Sequence, residues 1–531
     1  MRKPVFLGQH RWLWLGAAGL AALYSLGIFW GLPSILTPAS DSIAPLGPLA
    51  FAADLRDPTK SFIYPAVHQI LLLAVYAVVL IGAKITGAAG AISGTWPYGF
   101  RNPTLMFSAL IAVSNLVSIL MGLAVLGCML RTRIFEPAQQ WFGAALLGLS
   151  GVFIYYARVG NMDVPYLFWW MLSYTALWTF LFRRPALRWL LLSGIAGALA
   201  IGTKDQAAGL LLGSGLLLLL MAPAVKDSPA GGWGARIKNA AIFSAALVGT
   251  YAIVAVMTNP ARWVRHVRFV ANLPIPGMEP AYPAAEFPVT PWGELQLAWR
   301  VIERTSHIIT PVGVLLGFAG LAAVLASGRR REFWFVVLPP ATYYAMVIAT
   351  IRATEERYLL PLAIALCFGA NALAGRFLRS ARSSAAHTAC MTLCIALLAY
   401  QGIFSAYPVT FVQLFNLKRS LAAELPALVP PGRPLLIVNM YSFGLPNANV
   451  YDRYPLMHPP GETLLPPSTH GEHLFSPFKP GYRFILSGFH RPWSDEYLKD
   501  AVLVRSWTYP EWIKRRVYVP AIHEFSLYER R

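Results

Sequence analysis

The chain has 531 residues, 56% of them hydrophobic and 13% charged, with 44 Lys and Arg against 24 Asp and Glu for a formal net charge of +20. Soluble domains carry about 25% charged residues, so a soluble enzyme is excluded, and runs such as LLLGSGLLLLLMA lack the alternation of a β-barrel strand. The basic residues cluster in short stretches between apolar segments, where they orient membrane spans, and no nucleic-acid partner is expected.

In chain order, MRKPVFLGQHR precedes an apolar segment longer than a signal-peptide core and reads as an uncleaved signal anchor with a cytoplasmic N-terminus. A span needs about 20 apolar residues. Eleven spans are predicted, at about 12–32, 104–130, 139–157, 166–182, 188–202, 206–224, 239–258, 308–327, 332–350, 358–375 and 387–407. The basic clusters at Arg131/Arg133, Arg183/Arg184/Arg188, Lys226/Arg236/Lys238, Arg329–Arg331 and Arg376/Arg379/Arg382 then all fall on the cytoplasmic side. This alternation holds on one condition: the run YPAVHQILLLAVYAVVLIG, within 64–86, must not cross. It predicts a juxtamembrane or re-entrant helix on the outer face, inside a first outer loop spanning 33–103.

The loop 259–307 carries NPARWVRHVRFV, in which Arg262, Arg265 and Arg268 recur every third residue with Trp263, Phe269 and Val270 between them. That pattern predicts an amphipathic helix at the lipid interface, its arginines meeting phosphate groups. General binding of anionic headgroups is the plainer reading, and binding of one lipid phosphate the sharper one. Residues 1–407 form the membrane domain. After Tyr407 the composition turns to Pro, aromatics and charge, and 408–531 read as a small extracytoplasmic α/β domain with strands at PLLIVNM, YRFILSGF and VLVRSW.

On this topology the ionisable residues at membrane boundaries gather at the outer face. Asp41 follows the first span. Arg158 and Asp163 lie in one turn, Lys204 and Asp205 in a second, and Glu355, Glu356 and Arg357 in a third. Such residues are costly at membrane depth and are usually paired or functional. A boundary charge often merely ends a helix or snorkels. That plain reading is weakest for Lys204-Asp205, a tight turn between two apolar stretches. His68 reads as a packed or interfacial residue. His458, His470 and His473 read as solvated loop. Cys128, Cys367, Cys390 and Cys394 all fall in apolar segments, so no disulfide framework is expected. The chain holds no GxxxxGK[ST], HExxH or CxxC motif. A transporter or flippase of lipid-linked sugars would place polar groups near the midplane, whereas here they collect at one face.

Several stretches resemble the GT-C glycosyltransferases that use polyprenyl-phosphate sugars, the protein-mannosyltransferase and aminoarabinose-transferase relatives. Asp41 followed by DLRDPTKSFIYPAVHQIL is similar to their first outer-loop motif, YYARVGNMDVPYLFW to their second, and GALAIGTKDQAAGLLL to their Thr-Lys turn. NPARWVRHVRF and ERYLLPLAIAL match further stretches, all in the family's order. The resemblance implies a GT-C fold and transfer of a sugar from a polyprenyl-phosphate donor to a lipid, glycan or protein acceptor, with an outer-face polymerase or ligase as a related alternative. It makes Asp41 and Asp163 the catalytic acids. Lys204, Arg357, Arg158 and Arg265 would bind the donor phosphate, and Tyr64, Pro65, His68, Glu355 and Glu356 would line the cleft. No cofactor is certain, and a divalent metal is left open. The sequence departs from the family twice, at Ser42 where a glutamate usually follows the first aspartate, and at Ala66 where a second proline is usual. The first departure removes a ligand from any metal site that would use that glutamate.

Overall fold

A computed structural model describes residues 6–32, 39, 42–55, 65–91, 99–135, 141–221, 232–257, 259–270, 285–381, 383–438, 456–458, 476–477, 482–488, 498–519 and 524–530. The apolar stretches become helices α1 (Phe6–Ser25), α2 (Leu46–Ala53), α3 (Val67–Ile85), α4 (Pro103–Thr132), α5 (Trp141–Gly148), α6 (Gly151–Ala157), α7 (Asp163–Phe182), α8 (Leu187–Ile201), α9 (Ala207–Leu220) and α10 (Trp233–Met257). The amphipathic α11 (Pro260–Val270) follows, then α12 (Pro291–Ala326), α13 (Arg330–Tyr343), α14 (Ala349–Ile351), α15 (Leu360–Ser380), α16 (Ser384–Gln401), α17 (Tyr407–Leu414) and α18 (Leu417–Leu428). Seven helices among the described residues are long and apolar enough to cross a membrane, and α8 and α9 are shorter apolar helices. The chain is a multi-pass membrane protein.

All eleven predicted segments coincide with helices, and two carry breaks that composition does not show. The segment 139–157 is split at Leu149–Ser150, where Ser150 caps α6 through the Phe153 N–H at 3.3 Å. Helix α12 kinks at Ile309–Thr310, ahead of Pro311, with Thr310 at φ 61°. Proline removes a helical donor and clashes with the preceding turn. Gln401 of α16 compensates from across the bundle, its Nε2 donating to the Ile308 carbonyl at 2.8 Å.

By length and apolarity α3 is one of the seven candidates, yet among the described residues the partners named below lie at one end of the helical body. A Cβ on Gly122 of α4 would meet Ala157 and Val164, which sets Gly122 level with the start of α7. Everything ahead of Gly122 lies at or beyond that level. There Tyr76 of α3 bonds Ser114 of α4 at 2.6 Å, and Leu72 packs with Leu110 and Ala44. The first residue of α3, Val67, donates its N–H to the Gly202 carbonyl, in the turn after α8, at 2.8 Å.

The C-terminal region forms a six-stranded sheet of order β3-β2-β1-β4-β6-β5. β1 (Leu435–Val438), β2 (Leu456–His458), β3 (Ser476–Pro477) and β4 (Phe484–Ser487) run parallel, while β6 (Glu524–Arg530) is antiparallel to both β4 and β5 (Ala501–Thr508). The three predicted strands are β1, β4 and β5. Leu421 and Leu425 of α18 cover one face of the sheet, and Phe107 from the projecting end of α4 joins the same core.

Candidate functional site

Three turns far apart in sequence meet at the end of the body where α3 packs. The turn Arg158–Met162 joins α6 to α7, Gly202–Gln206 joins α8 to α9, and Arg352–Leu359 joins α14 to α15. Asp163 opens α7, where unpaired helix N–H groups favour negative charge. Asn161 braces it twice, accepting from the Asp163 N–H at 3.1 Å and donating from Nδ2 to Oδ2 at 2.9 Å. The other carboxylate oxygen pairs with Lys204 Nζ, and both side chains are buried, at 5% and 8% exposure. A buried ion pair persists when further hydrogen bonds satisfy it, and Asn161 supplies them here.

Lys204 is presented because α8 stops at Gly202. The Lys204 N–H still donates to Ala200 O at 2.9 Å, and the Thr203 hydroxyl donates to Leu199 O at 2.8 Å. A side chain at position 202 would lie 2.6 Å from Val67 Cγ2, so the glycine lets α3 approach. Lys204 Nζ stands 5.0 Å from the centroid of the Tyr358 ring and 5.6 Å from that of Tyr166. Arg357 Cζ is also 5.0 Å from the Tyr358 centroid, and its NH2 donates to the Tyr358 hydroxyl at 3.3 Å. One phenol ring thus holds two cations.

The two adjacent glutamates separate. Glu355 is half exposed and pairs with Arg357 at 2.6 Å. Glu356 is buried and faces α12, bonded to Arg304 NH1 at 2.7 Å and to His307 Nδ1 at 2.8 Å. His307 stacks on Tyr518 of the C-terminal domain, with 3.7 Å between centroids and 7° between planes.

Of the other predicted site residues, Pro65 and His68 are buried at the start of α3. Asp41 and Tyr64 lie outside the described residues. The first loop is nevertheless fastened to the Asp163 turn by the residue after Asp41. Ser42 Oγ donates to Gly160 O at 3.1 Å and accepts from the Ala44 N–H at 3.2 Å, and the Ile43 N–H donates to the same Gly160 O at 2.9 Å. Arg158 goes elsewhere. It is fully buried, donating to the carbonyls of Tyr24 and Leu23, to Thr410 and to Gln413, so it ties α1 to α17 inside the body. Arg265 is half buried on α11.

The residue that docks α11 is one the sequence reading passed over. His266 Nε2 meets Asp205 Oδ2 at 2.9 Å and is buried, so α11 leans on the Lys204 turn. The alternation of arginines drew attention to the charged face and away from the histidine between them. Arg352 was also missed. It sits at φ 52°, donates to the carbonyls of Phe287 and Pro288 at 2.7 and 2.6 Å, and pairs with Glu294. Glu286 in turn accepts from the Thr354 N–H and hydroxyl at 3.1 and 2.8 Å. Among the described residues no three His, Cys, Asp or Glu side chains converge as metal ligands.

No family model and no curated protein matches the chain. In fold it is similar over nearly its whole length to ArnT from Cupriavidus metallidurans bound to undecaprenyl phosphate, at 14% identity and a TM-score of 0.47, with 97% of this chain and 98% of that one covered. It is also similar to the archaeal oligosaccharyltransferase AglB from Archaeoglobus fulgidus, at 12% identity and a TM-score of 0.42, covering 90% of this chain and 70% of that one. Likeness to the arabinofuranosyltransferase AftD from Mycobacteria is at 13% identity and a TM-score of 0.40, covering 98% and 41%.

Proposed function

We propose that the protein is a membrane glycosyltransferase. It moves a sugar from a polyprenyl-phosphate donor to a hydroxyl of a lipid, glycan or protein acceptor at the extracytoplasmic face of the plasma membrane, with inversion at the anomeric carbon. The observation that carries this reading is the meeting of Lys204 and Arg357 over the Tyr358 ring, with Asp163 paired to Lys204, from three distant segments at one end of a membrane-embedded body.

The leaving group of such a donor is a phosphate, already a stable anion. It needs fixed cations where charge develops rather than a general acid. Asp163 holds Lys204 at its station, Arg357 faces the same ring, and Glu355 is exposed enough to give up Arg357 to an incoming phosphate. The acceptor hydroxyl needs one base, and Asp41 is assigned that role from the sequence. The acceptor oxygen attacks the anomeric carbon and its proton passes to the Asp41 carboxylate. The bond from carbon to phosphate oxygen breaks, and polyprenyl phosphate leaves with the electron pair. Attack from the side opposite the phosphate inverts the centre. Glycosidases need two carboxylates because they expel an alkoxide; one suffices here. Among the described residues the site's own charges, Asp163, Lys204, Glu355 and Arg357, lie at one end of the bundle, which favours surface chemistry over transport.

The test is mass spectrometry of glycolipids and glycoproteins from a deletion strain. Loss of one sugar from a defined acceptor is expected, restored by the wild-type chain and not by Lys204→Ala. Unchanged glycans in the deletion strain overturn the proposal.

A further inference from the structure

A groove of about 500 Å³ lies on the C-terminal domain, away from the Lys204–Asp163 pair, lined by Glu511, Trp512, Arg515, Arg516 and Tyr518. Its depth in the membrane follows from the helix it rests on. Trp512 stacks on Tyr407 of α17, with centroids 5.9 Å apart and planes 6° from parallel, and Arg516 Cζ stands 4.7 Å over Phe404, between α16 and α17. Helix α16 starts at Ser384, just after the basic cluster that ends α15. A helix rises 1.5 Å per residue, so about 20 residues from Ser384 cross the roughly 30 Å hydrocarbon core and end beside Phe404. Helix α16 is exposed around most of its circumference, with Leu393 and Ile395 bare on opposite sides, and this apolar surface leads past Ile403 to exposed Tyr407 and Trp512. Trp and Tyr concentrate where hydrocarbon gives way to headgroups.

The charge at this level is positive. Glu511 is paired with Lys514 at 2.5 Å, while Arg515 is 81% exposed and only 3.9 Å from Glu511 at its nearest. Arg515, exposed, and Arg516, half buried with NH1 donating to the Trp512 carbonyl at 3.2 Å, therefore lie at this level beside two aromatic rings. We infer that this groove seats an anionic membrane lipid, its phosphate on Arg515 and Arg516, its glycerol against Trp512, and an acyl chain along the exposed apolar surface of α16. The occupant is a lipid of the surrounding bilayer, not the sugar donor, and the inference does not depend on the catalytic reading. Tyr518, on the groove wall, is stacked on His307, so a seated lipid presses the domain onto the helical body.

The purified full chain in neutral detergent is titrated with phosphatidylglycerol and with phosphatidylcholine, and retained lipid is counted by native mass spectrometry. Each basic residue at an anionic surface is worth about fivefold in affinity. Wild type should prefer phosphatidylglycerol, R515Q/R516Q should lose roughly 25-fold of that preference, and R515K/R516K, which keeps both charges, should retain it. Trp512→Ala should weaken both lipids. Excess inorganic phosphate should not displace the lipid. Equal retention of phosphatidylglycerol by wild type and R515Q/R516Q overturns the inference, and so does displacement by inorganic phosphate, which would mark a free-anion site.

Discussion

Lys204 and Asp163 form a buried pair, so deleting either one confounds chemistry with folding. Removing one member of such a pair leaves an uncompensated charge and costs about 3–5 kcal/mol. Lys204→Ala should therefore lower unfolding stability by about that amount and abolish sugar transfer. Pairing it with Asp163→Asn should restore most of the stability and none of the transfer, as read by unfolding in detergent and by turnover on the same preparations; recovered turnover would remove Lys204 from the donor site. Asp41→Asn should abolish transfer while leaving the unfolding curve in place, and retained turnover would sink its assignment as base. Arg158 belongs to a different class. All its bonds lie within the body, so Arg158→Ala should reduce the yield of folded protein without raising the donor KM of what folds. The sequence placed Asp163, Lys204 and Arg357 on one face because the basic clusters set a topology that puts their three turns on the same side. It could not tell that Arg158, in the same turn as Asp163, points the other way, since direction within a turn is set by packing. Ser42 was legible only as a missing glutamate. In the fold it is a staple between the first loop and Gly160.

The helices were readable as apolar runs, because the bilayer imposes one length on all of them. Their interruptions were not. The kink at Thr310 depends on Pro311 together with Gln401, about ninety residues downstream, and no local window holds both. Helix α3 is the element where composition and packing diverge. It is apolar enough to span, but its partners are Gly202, Ser114 and Leu110, all at the end of the body that holds the site. A cysteine replacing Gly90, just past α3, should react with a membrane-impermeant maleimide from outside the cell; protection there with labelling from the cytoplasm would make α3 a span and reverse every later loop. Gly202→Val should push α3 away by its clash with Val67 and reduce transfer, while Gly215→Val, where a Cβ meets nothing within 4 Å, should not.

At the scale of the whole molecule, the C-terminal domain is held to the helical body by specific contacts. The Tyr509 hydroxyl donates to Val412 O at 3.0 Å and accepts from the Leu417 N–H at 3.2 Å. Burial pushes that phenol up to about 12, against the opposing pull of the Leu417 N–H, so it remains a donor through the physiological range. A second contact reaches the site. Tyr518 stacks on His307, His307 bonds Glu356, and Glu356 precedes Arg357 in the turn that also carries Tyr358. The sequence predicts a change of region after Tyr407 but not this link, because its two ends lie more than two hundred residues apart. If the stack positions Glu356, and through it Arg357, then Tyr518→Ala and His307→Ala act on the same step. Each should lower kcat several-fold with little change in acceptor KM, and the double variant should be no worse than the His307 single. Contacting residues that work through one network show such non-additivity, with coupling of about 0.5–3 kcal/mol. Additive losses in a double-mutant cycle, with both singles fully folded, would mean that the domain merely rests on the bundle and that Arg357 is positioned by Tyr358 and Glu355 alone.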